Sequence, residues 1–390
     1  MALSQADHLD LSEAGAAALA VRAAPQLRAG ARSSALMWAL LACAMFLSAV
    51  GCVFYGPRVL IIATTCLAAA GLTEVACAWV AQRPWPSGIA HSLAVGLIAG
   101  LMLPATAPWY VAAAGACLAV GVGKWAMGGL GHYPWNPTVL AVLGIYALWP
   151  EYVAPQRWPL LAKQHVIVGN GLQLGPLAVS HVPIDWGTTV PPGGAIGFAV
   201  VRADAILNQA AEPAAPGQAV PLDAVVRDLL PSWWDILTGA VAGPIGQGSV
   251  LALVLVWLAL IWRGYLRWPL PIAVLGGAFI AAAVLPVSPC GWWPIGYSAD
   301  GMPLGLVWVG YQVLLGPTLF TAILLAGETV TSPITNRGQV LYGLGVGILT
   351  VTLRWWPVAL LSGCWAVLAM NTLVPPIERL VRRWRLVAGR

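Results

Sequence analysis

The chain has 390 residues, of which 59% are hydrophobic and only 8% charged, with 19 Lys and Arg against 14 Asp and Glu. A soluble domain carries about 25% charged residues, so a water-coated globule is excluded and most of the solvent must be lipid. The net charge of +5 is then a topology signal, and no nucleic-acid partner is implied.

Residues 1–33 are polar to mildly amphipathic and carry Arg22, Arg28 and Arg32, without a secretory signal pattern. We expect a cytoplasmic N-terminal segment there. Apolar runs follow at 35–55, 58–81, 89–104, 108–127 and 136–150, then at 238–262, 266–287, 304–326, 339–356 and 357–376. A span needs about 20 apolar residues, fewer if it is broken or re-entrant. The pattern predicts an all-α polytopic membrane protein of about ten transmembrane helices. Its divisions would be a first transmembrane half at 34–150, one extracytoplasmic lobe at 151–235, a second half at 236–376 and a basic tail at 377–390. Two five-helix halves would be inverted relative to each other, although no internal sequence repeat shows it.

Orientation follows the bias of Lys and Arg towards cytoplasmic connections. Arg83, Lys124, Arg263, Arg267, Arg337 and the tail Arg379, Arg382, Arg383, Arg385 and Arg390 then fall inside, with Arg58 and Arg354 as exceptions. Both termini are expected in the cytoplasm, and the protein in a bacterial inner membrane. Trp residues such as Trp109, Trp149, Trp233 and Trp292 sit near span ends, as an aromatic belt requires. The seven cysteines are scattered without metal-ligand spacing, so no metal site is expected.

Two polar loops interrupt the apolar pattern. The first, Gly123 to Thr138, holds Lys124, Gly128, Gly129, Gly131 and then Asn136-Pro137. Glycines permit positive φ and close approach to the backbone. Asn136 and Pro137 suit the cap and first turn of a helix. Such a start offers free N–H groups to an anion or polar ligand edge; a tight turn is the plainer reading. The second loop, Gly327 to Gly338, carries Glu328, Thr329, Thr331, Ser332, Thr335 and Arg337 around Pro333. Its hydroxyls suit a flavin ring, phosphate or ribityl chain, with Arg337 for a phosphate; a capping loop is the alternative. Glu74 is a lone carboxylate inside a span, a candidate for ion coupling or for an interhelix hydrogen bond. Of five histidines only His91 lies in a span, which argues against a bis-His haem and reads as a packed polar residue.

The loops, with Gly96-Leu-Ile-Ala-Gly-Leu-Met-Leu-Pro104, Gly343-Leu-Gly-Val-Gly-Ile-Leu349 and Met370-Asn-Thr-Leu-Val-Pro375, resemble the RnfD family, the D component of Rnf electron-transport complexes. That family includes NqrB, a membrane component of the sodium-translocating NADH:quinone reductase. The resemblance covers roughly 90–376 and is weakest in the central lobe. It implies a ten-helix subunit that carries flavin (FMN or riboflavin) and relays electrons across the bilayer, coupled to Na+ or H+ movement. It also implies partners: a flavin-bearing extracytoplasmic subunit and small membrane subunits. The protein would not be a stand-alone enzyme and would hold no catalytic residue of its own. Lys124, Gly128, Gly129, Gly131, Asn136, Thr331, Ser332, Thr335 and Arg337 are the candidates for holding the cofactor.

One departure bears on the cofactor. The family's extracytoplasmic Ser-Gly-Ala-Thr-like motif ends in a Thr esterified to FMN phosphate. In one register, Asp204 to Glu212, Ala210 stands at that Thr; in another, Asp235 to Val241, Val241 does. Neither has a hydroxyl, so the expected flavin is non-covalent. Gln247 and Glu328 also depart from the usual charge pattern. A small-solute transporter or a cofactor-free scaffold subunit are the alternatives.

Overall fold

The computed structural model describes residues 33–82, 88–153, 167–168, 172–173, 233–239, 243–285, 303–314, 317–354 and 361–388. Most of the expected lobe at 151–235, including Ala210, and residues 1–32 lie outside them. The first group of helices is α1 (Ser33–Tyr55), α2 (Arg58–Val80), α3 (Ile89–Leu101), α4 (Trp109–Cys117), α5 (Pro137–Leu148) and the short α6 (Pro150–Val153). α4 runs on into a π-helical segment, Leu118–Ala126. A two-residue antiparallel ladder pairs Ile167 with Gln173 and Val168 with Leu172. After it come α7 (Trp233–Thr238), a 3-10 turn (Ile245–Gln247), α8 (Val250–Trp262), α9 (Pro269–Val284) and α10 (Leu304–Leu314). α11 (Pro317–Phe320) continues as a second π-helical segment, Thr321–Leu325, and α12 (Asn336–Leu353) and α13 (Ser362–Ala388) complete the order.

Among the described residues the regular structure is helical apart from that ladder, and many large apolar side chains lie on the outside. α1 and α2 are each long and apolar enough to cross a membrane, and α10 with the helix up to Leu325 passes the same test with a 47° bend. α3, α5, α8 and α9 are apolar but shorter. Trp79, Leu72, Val53 and Trp262 project outward, Trp262 at 83% exposure. Such side chains belong against lipid. Hydroxyls on these helices bond back to their own backbone: Thr64 to Leu60 O, Thr65 to Ile61 O and Thr73 to Ala69 O. In hydrocarbon that is how a polar side chain meets its need for a partner.

Three helix starts show how the sequence sets boundaries. Asn136 Oδ1 accepts from Thr138 N (2.9 Å) and Val139 N (3.3 Å), with Pro137 in the first turn of α5. Ser249 Oγ accepts from Ala252 N (3.2 Å) at α8, and Thr335 Oγ1 from Gly338 N (3.2 Å) at α12. Each supplies an acceptor to an otherwise orphaned N–H. The last helix, α13, continues through Pro375 and Pro376 to Ala388.

Helices pack on small residues. Gly343 and Gly347 lie four apart on α12 and face α9 across a seam of close backbone approach, where a small-xxx-small spacing lets helix axes come together. A Cβ at Gly347 would fall 2.0 Å from Val274 O and 2.6 Å from Ala278 N. One at Gly343 would meet Leu270 O at 2.8 Å. Backbone cannot swing aside as a side chain can. The Gly347→Ala variant is therefore expected to lose about 1–3 kcal/mol or more through overpacking. Gly276→Ala, where nothing stands within 4 Å, is expected to be neutral. Thermal unfolding of the two variants in detergent checks this; equal melting temperatures would show that the seam tolerates a methyl group.

Candidate functional site

Two buried polar clusters meet on α3. The first is built on Glu74, from α2. Its Oε1 accepts from Lys124 Nζ at 2.8 Å. Its Oε2 accepts from Ser92 Oγ (2.8 Å) and Trp125 Nε1 (2.7 Å). Lys124 Nζ also donates to Ser92 Oγ (2.7 Å) and Gly88 O (3.3 Å). Glu74, Lys124 and Ser92 are all buried. Lys124 thus sits inside the π-helical segment, and its charge is paired within the protein. The wider π turn, common at functional sites, sets the ammonium and the Trp125 indole on one carboxylate.

The second cluster begins one residue earlier on α3. His91 Nε2 lies 2.9 Å from Tyr133 Oη and 3.4 Å from Glu328 Oε1. Tyr133 Oη donates to Glu328 Oε1 at 2.6 Å. Thr331 Oγ1 reaches Glu328 Oε2 at 3.5 Å. Burial, and Glu328 beside it, push the Tyr133 phenol far above its ordinary range, so it remains a donor. His91 comes from α3, Tyr133 from the glycine-rich loop and Glu328 from the loop after the second π-helical segment. The cluster therefore bridges the two groups of helices.

The glycine-rich loop holds that bridge in place. Gly128, Gly129 and Gly131 have φ of 109°, 89° and 87°, the left-handed region that other residues rarely enter. The chain reverses there, with Gly129 N donating to Lys124 O and His132 N to Gly129 O. The return brings Tyr133 inward and Asn136 to the head of α5. Asn136 Nδ2 then donates to Leu325 O at 2.9 Å, across to the other half. In the amide orientation that satisfies both its ends, Asn371 accepts from Asn136 N (3.1 Å) and donates to Tyr342 Oη (2.7 Å).

A cleft of about 190 Å³ opens beside the second loop, lined among others by Arg267, Thr329, Ser332 and Gln339. Arg267 donates to Ile334 O (2.5 Å) and to Asn336 Oδ1 (3.3 Å). Gln339 Nε2 donates to Pro333 O, while its buried Oε1 has no partner among the described residues.

The residues singled out from sequence are therefore dispersed. Ser332 lines the cleft. Thr331 turns inward to Glu328. Thr335 caps α12 and donates to Glu378 Oε1 (3.0 Å). Arg337 is exposed and is not among the cleft residues. Lys124 is used up on interhelix contacts, and Asn136 caps α5 with its oxygen and donates across to Leu325 O with its nitrogen. Arg267 and Gln339 complete the cleft, yet sequence reasoning gave Arg267 only a topological role and did not single out Gln339. Tyr133 and Ser92 were also missed; both lie near residues that were singled out. No group of His, Cys, Asp and Glu among the described residues is arranged to hold a metal ion.

Comparison with known proteins places the chain. The NQR2, RnfD, RnfE family profile matches residues 20–386. The chain belongs to that family. Within it, the chain is 28% identical over 363 residues to the D component of the ion-translocating oxidoreductase complex of Halorhodospira halophila, covering 92% of this chain and 93% of the relative. It is 25% identical over 368 residues to the D component of the Na(+)-translocating ferredoxin:NAD(+) oxidoreductase complex of Acetobacterium woodii, covering 93% and 94%. It is also 25% identical over 362 residues to the D component of the proton-translocating ferredoxin:NAD(+) oxidoreductase complex of Clostridium ljungdahlii, covering 92% and 93%.

Removing one partner of a buried pair leaves the other charged and alone. Lys124→Met is expected to cost about 3–5 kcal/mol by that route. Combining it with Glu74→Gln, which keeps an acceptor for Ser92 and Trp125, is expected to restore much of the loss. A double-mutant cycle on thermal unfolding measures the coupling. Additive losses would mean that the pair contributes nothing as a pair.

Proposed function

We propose that the chain is the membrane subunit of an Rnf-like ion-translocating oxidoreductase complex, relaying electrons across the bilayer through a non-covalently held flavin. The observation that carries this is the family match at nearly full length. It spans 92% of the chain and 93% of a relative named as the D component of such a complex. We read the topology as about ten spans in two five-helix halves. The lobe at 151–235 lies outside and both termini lie in the cytoplasm of a bacterial inner membrane. The other subunits of the complex, among them a flavin-bearing extracytoplasmic one and small membrane proteins, would deliver and accept the electrons.

The cytoplasmic cleft suits one end of a flavin. At about 190 Å³ it is smaller than the usual range for a whole organic ligand, so the ring would extend beyond it. Thr329 and Ser332 offer hydroxyls, and Gln339 Oε1 offers a buried acceptor in want of a donor. Arg267 supplies positive charge to a phosphate or ribityl end, with Arg337 on the exposed first turn of α12. Lys124, the Gly128–Gly131 turn and Asn136 shape the neighbouring loop. Bound flavin supplies the one- and two-electron chemistry, and the protein orients it and tunes its potential.

The test is flavin content and electron-transfer rate in the assembled complex carrying Arg267→Ala with Ser332→Ala. Losing a charge-assisted hydrogen bond costs about 1.5–3 kcal/mol, so flavin affinity is expected to fall roughly 10- to 100-fold. Unchanged flavin would move the site elsewhere. A wild-type protein that never carries flavin would favour the scaffold reading, or the transporter reading if it passes solute in liposomes.

A further inference from the structure

Two relatives that name their ion disagree: one is Na(+)-translocating and the other proton-translocating, each 25% identical to this chain. Resemblance therefore does not choose the ion, but the His91–Tyr133–Glu328 cluster does. We infer that this cluster is a proton-binding site and that the ion taken up there is H+ rather than Na+. Its place in an energy-coupling cycle rests on the redox reading above; its occupancy by a proton does not.

Charge balance comes first. Glu74 has a permanent counter-ion in Lys124 at 2.8 Å. Glu328 has none: among the described residues no Lys or Arg pairs with it, and its basic neighbour is His91 at 3.4 Å. Both side chains are more than nine-tenths buried. A lone buried charge is expensive, and the usual escape is to take up or lose a proton. Here one proton neutralises the pair. It comes from bulk water and rests as O–H on Glu328 or as the second N–H on His91. The other groups facing the pair do not supply a fixed charge. Tyr133 stays a neutral donor, Thr331 offers a hydroxyl and Tyr342 on α12 a phenol. Lys124 and Glu74 lie beyond Ser92 and cancel each other.

Geometry supplies the second argument. His91 Nδ1 is buried and has no partner among the described residues. With Nε2 engaged by Tyr133, the ring keeps one nitrogen open to receive or release a proton. The phenol bridges imidazole and carboxylate, at 2.9 and 2.6 Å, so a proton can pass between them without either side chain moving.

The same geometry disfavours Na+. Hard cations take a shell of about six or more oxygens. The side-chain oxygens of the cluster are Glu328 Oε1 and Oε2, Tyr133 Oη and Thr331 Oγ1, and its other polar neighbour is the His91 Nε2 nitrogen. Imidazole is a ligand for softer transition metals.

Infrared difference spectroscopy on the assembled complex in lipid membranes tests this, with pH and the exchange of choline chloride for NaCl as the perturbations. On acidification a buried carboxylic C=O band is expected that is lost in Glu328→Gln, which keeps an acceptor for Tyr133. At one pH the band is expected to strengthen in His91→Gln, where the proton has lost its alternative seat. In Tyr133→Phe it is expected to persist at a shifted frequency, since only the hydrogen bond is gone. NaCl is expected to leave it unchanged. A Glu328-dependent band that NaCl abolishes at constant pH would make the site a Na+ site. Absence of any Glu328-dependent band across the stable pH range would also overturn the inference. A wild-type complex without flavin would sink the redox reading while leaving this titration as it stands.

Discussion

Glu74 and Lys124 meet at 2.8 Å in a place where neither can reach water, and the organisation around them follows from that constraint. In a lipid-facing bundle an unpaired charge or open hydrogen bond costs several kcal/mol. Polar side chains therefore collect inside and complete one another. Ser92 and Trp125 use the carboxylate oxygen left free by the lysine, and the π-helical segment brings Lys124 and Trp125 to the same acceptor. Many large apolar side chains are left on the outer surface, as a membrane setting favours.

Adjacent residues of α3 carry this constraint from one half of the molecule to the other. Ser92 belongs to the neutral ion pair and His91 to the cluster containing Glu328. One cluster is electrically closed and stabilises the packing of α2, α3 and α4. The other bridges α3, the glycine-rich loop and the loop holding Glu328, and among the described residues no Lys or Arg pairs with it. Asn136 ties the glycine-rich loop to Leu325 O and, through its N–H, to Asn371. The cleft lined by Arg267 and Ser332 opens from the same loop as Glu328, close in sequence to a site where a proton can be held.

Much of this was legible in the sequence where one residue type answers one local need. Low charge and long apolar runs indicated a membrane protein built of helices. Asn136-Pro137 indicated a capped helix start, and the Gly128–Gly131 turn a reversal that needs positive φ. Partners distant along the chain were not legible. Glu74 and Lys124 are 50 residues apart, and Lys124 next to a glycine-rich loop looks like an ordinary cytoplasmic charge. Tyr133 and Glu328 are 195 residues apart, so His91 looked solitary until the fold brought both to it. Arg267 fits the positive-inside pattern so well that its place in the cleft is hidden by it. A charged residue at the end of an apolar run can answer either need, and only tertiary packing distinguishes them.

The most direct test of the central claim is to measure flavin in the purified protein before and after acid precipitation. Neither Ala210 nor Val241 offers a hydroxyl for an ester. The account predicts flavin in the native protein and its complete release to the acid supernatant. Flavin retained in the pellet would reveal a covalent acceptor elsewhere in the chain. Flavin absent from both fractions of this subunit, separated from its flavin-bearing partner in mild detergent, would contradict the electron-relay function itself.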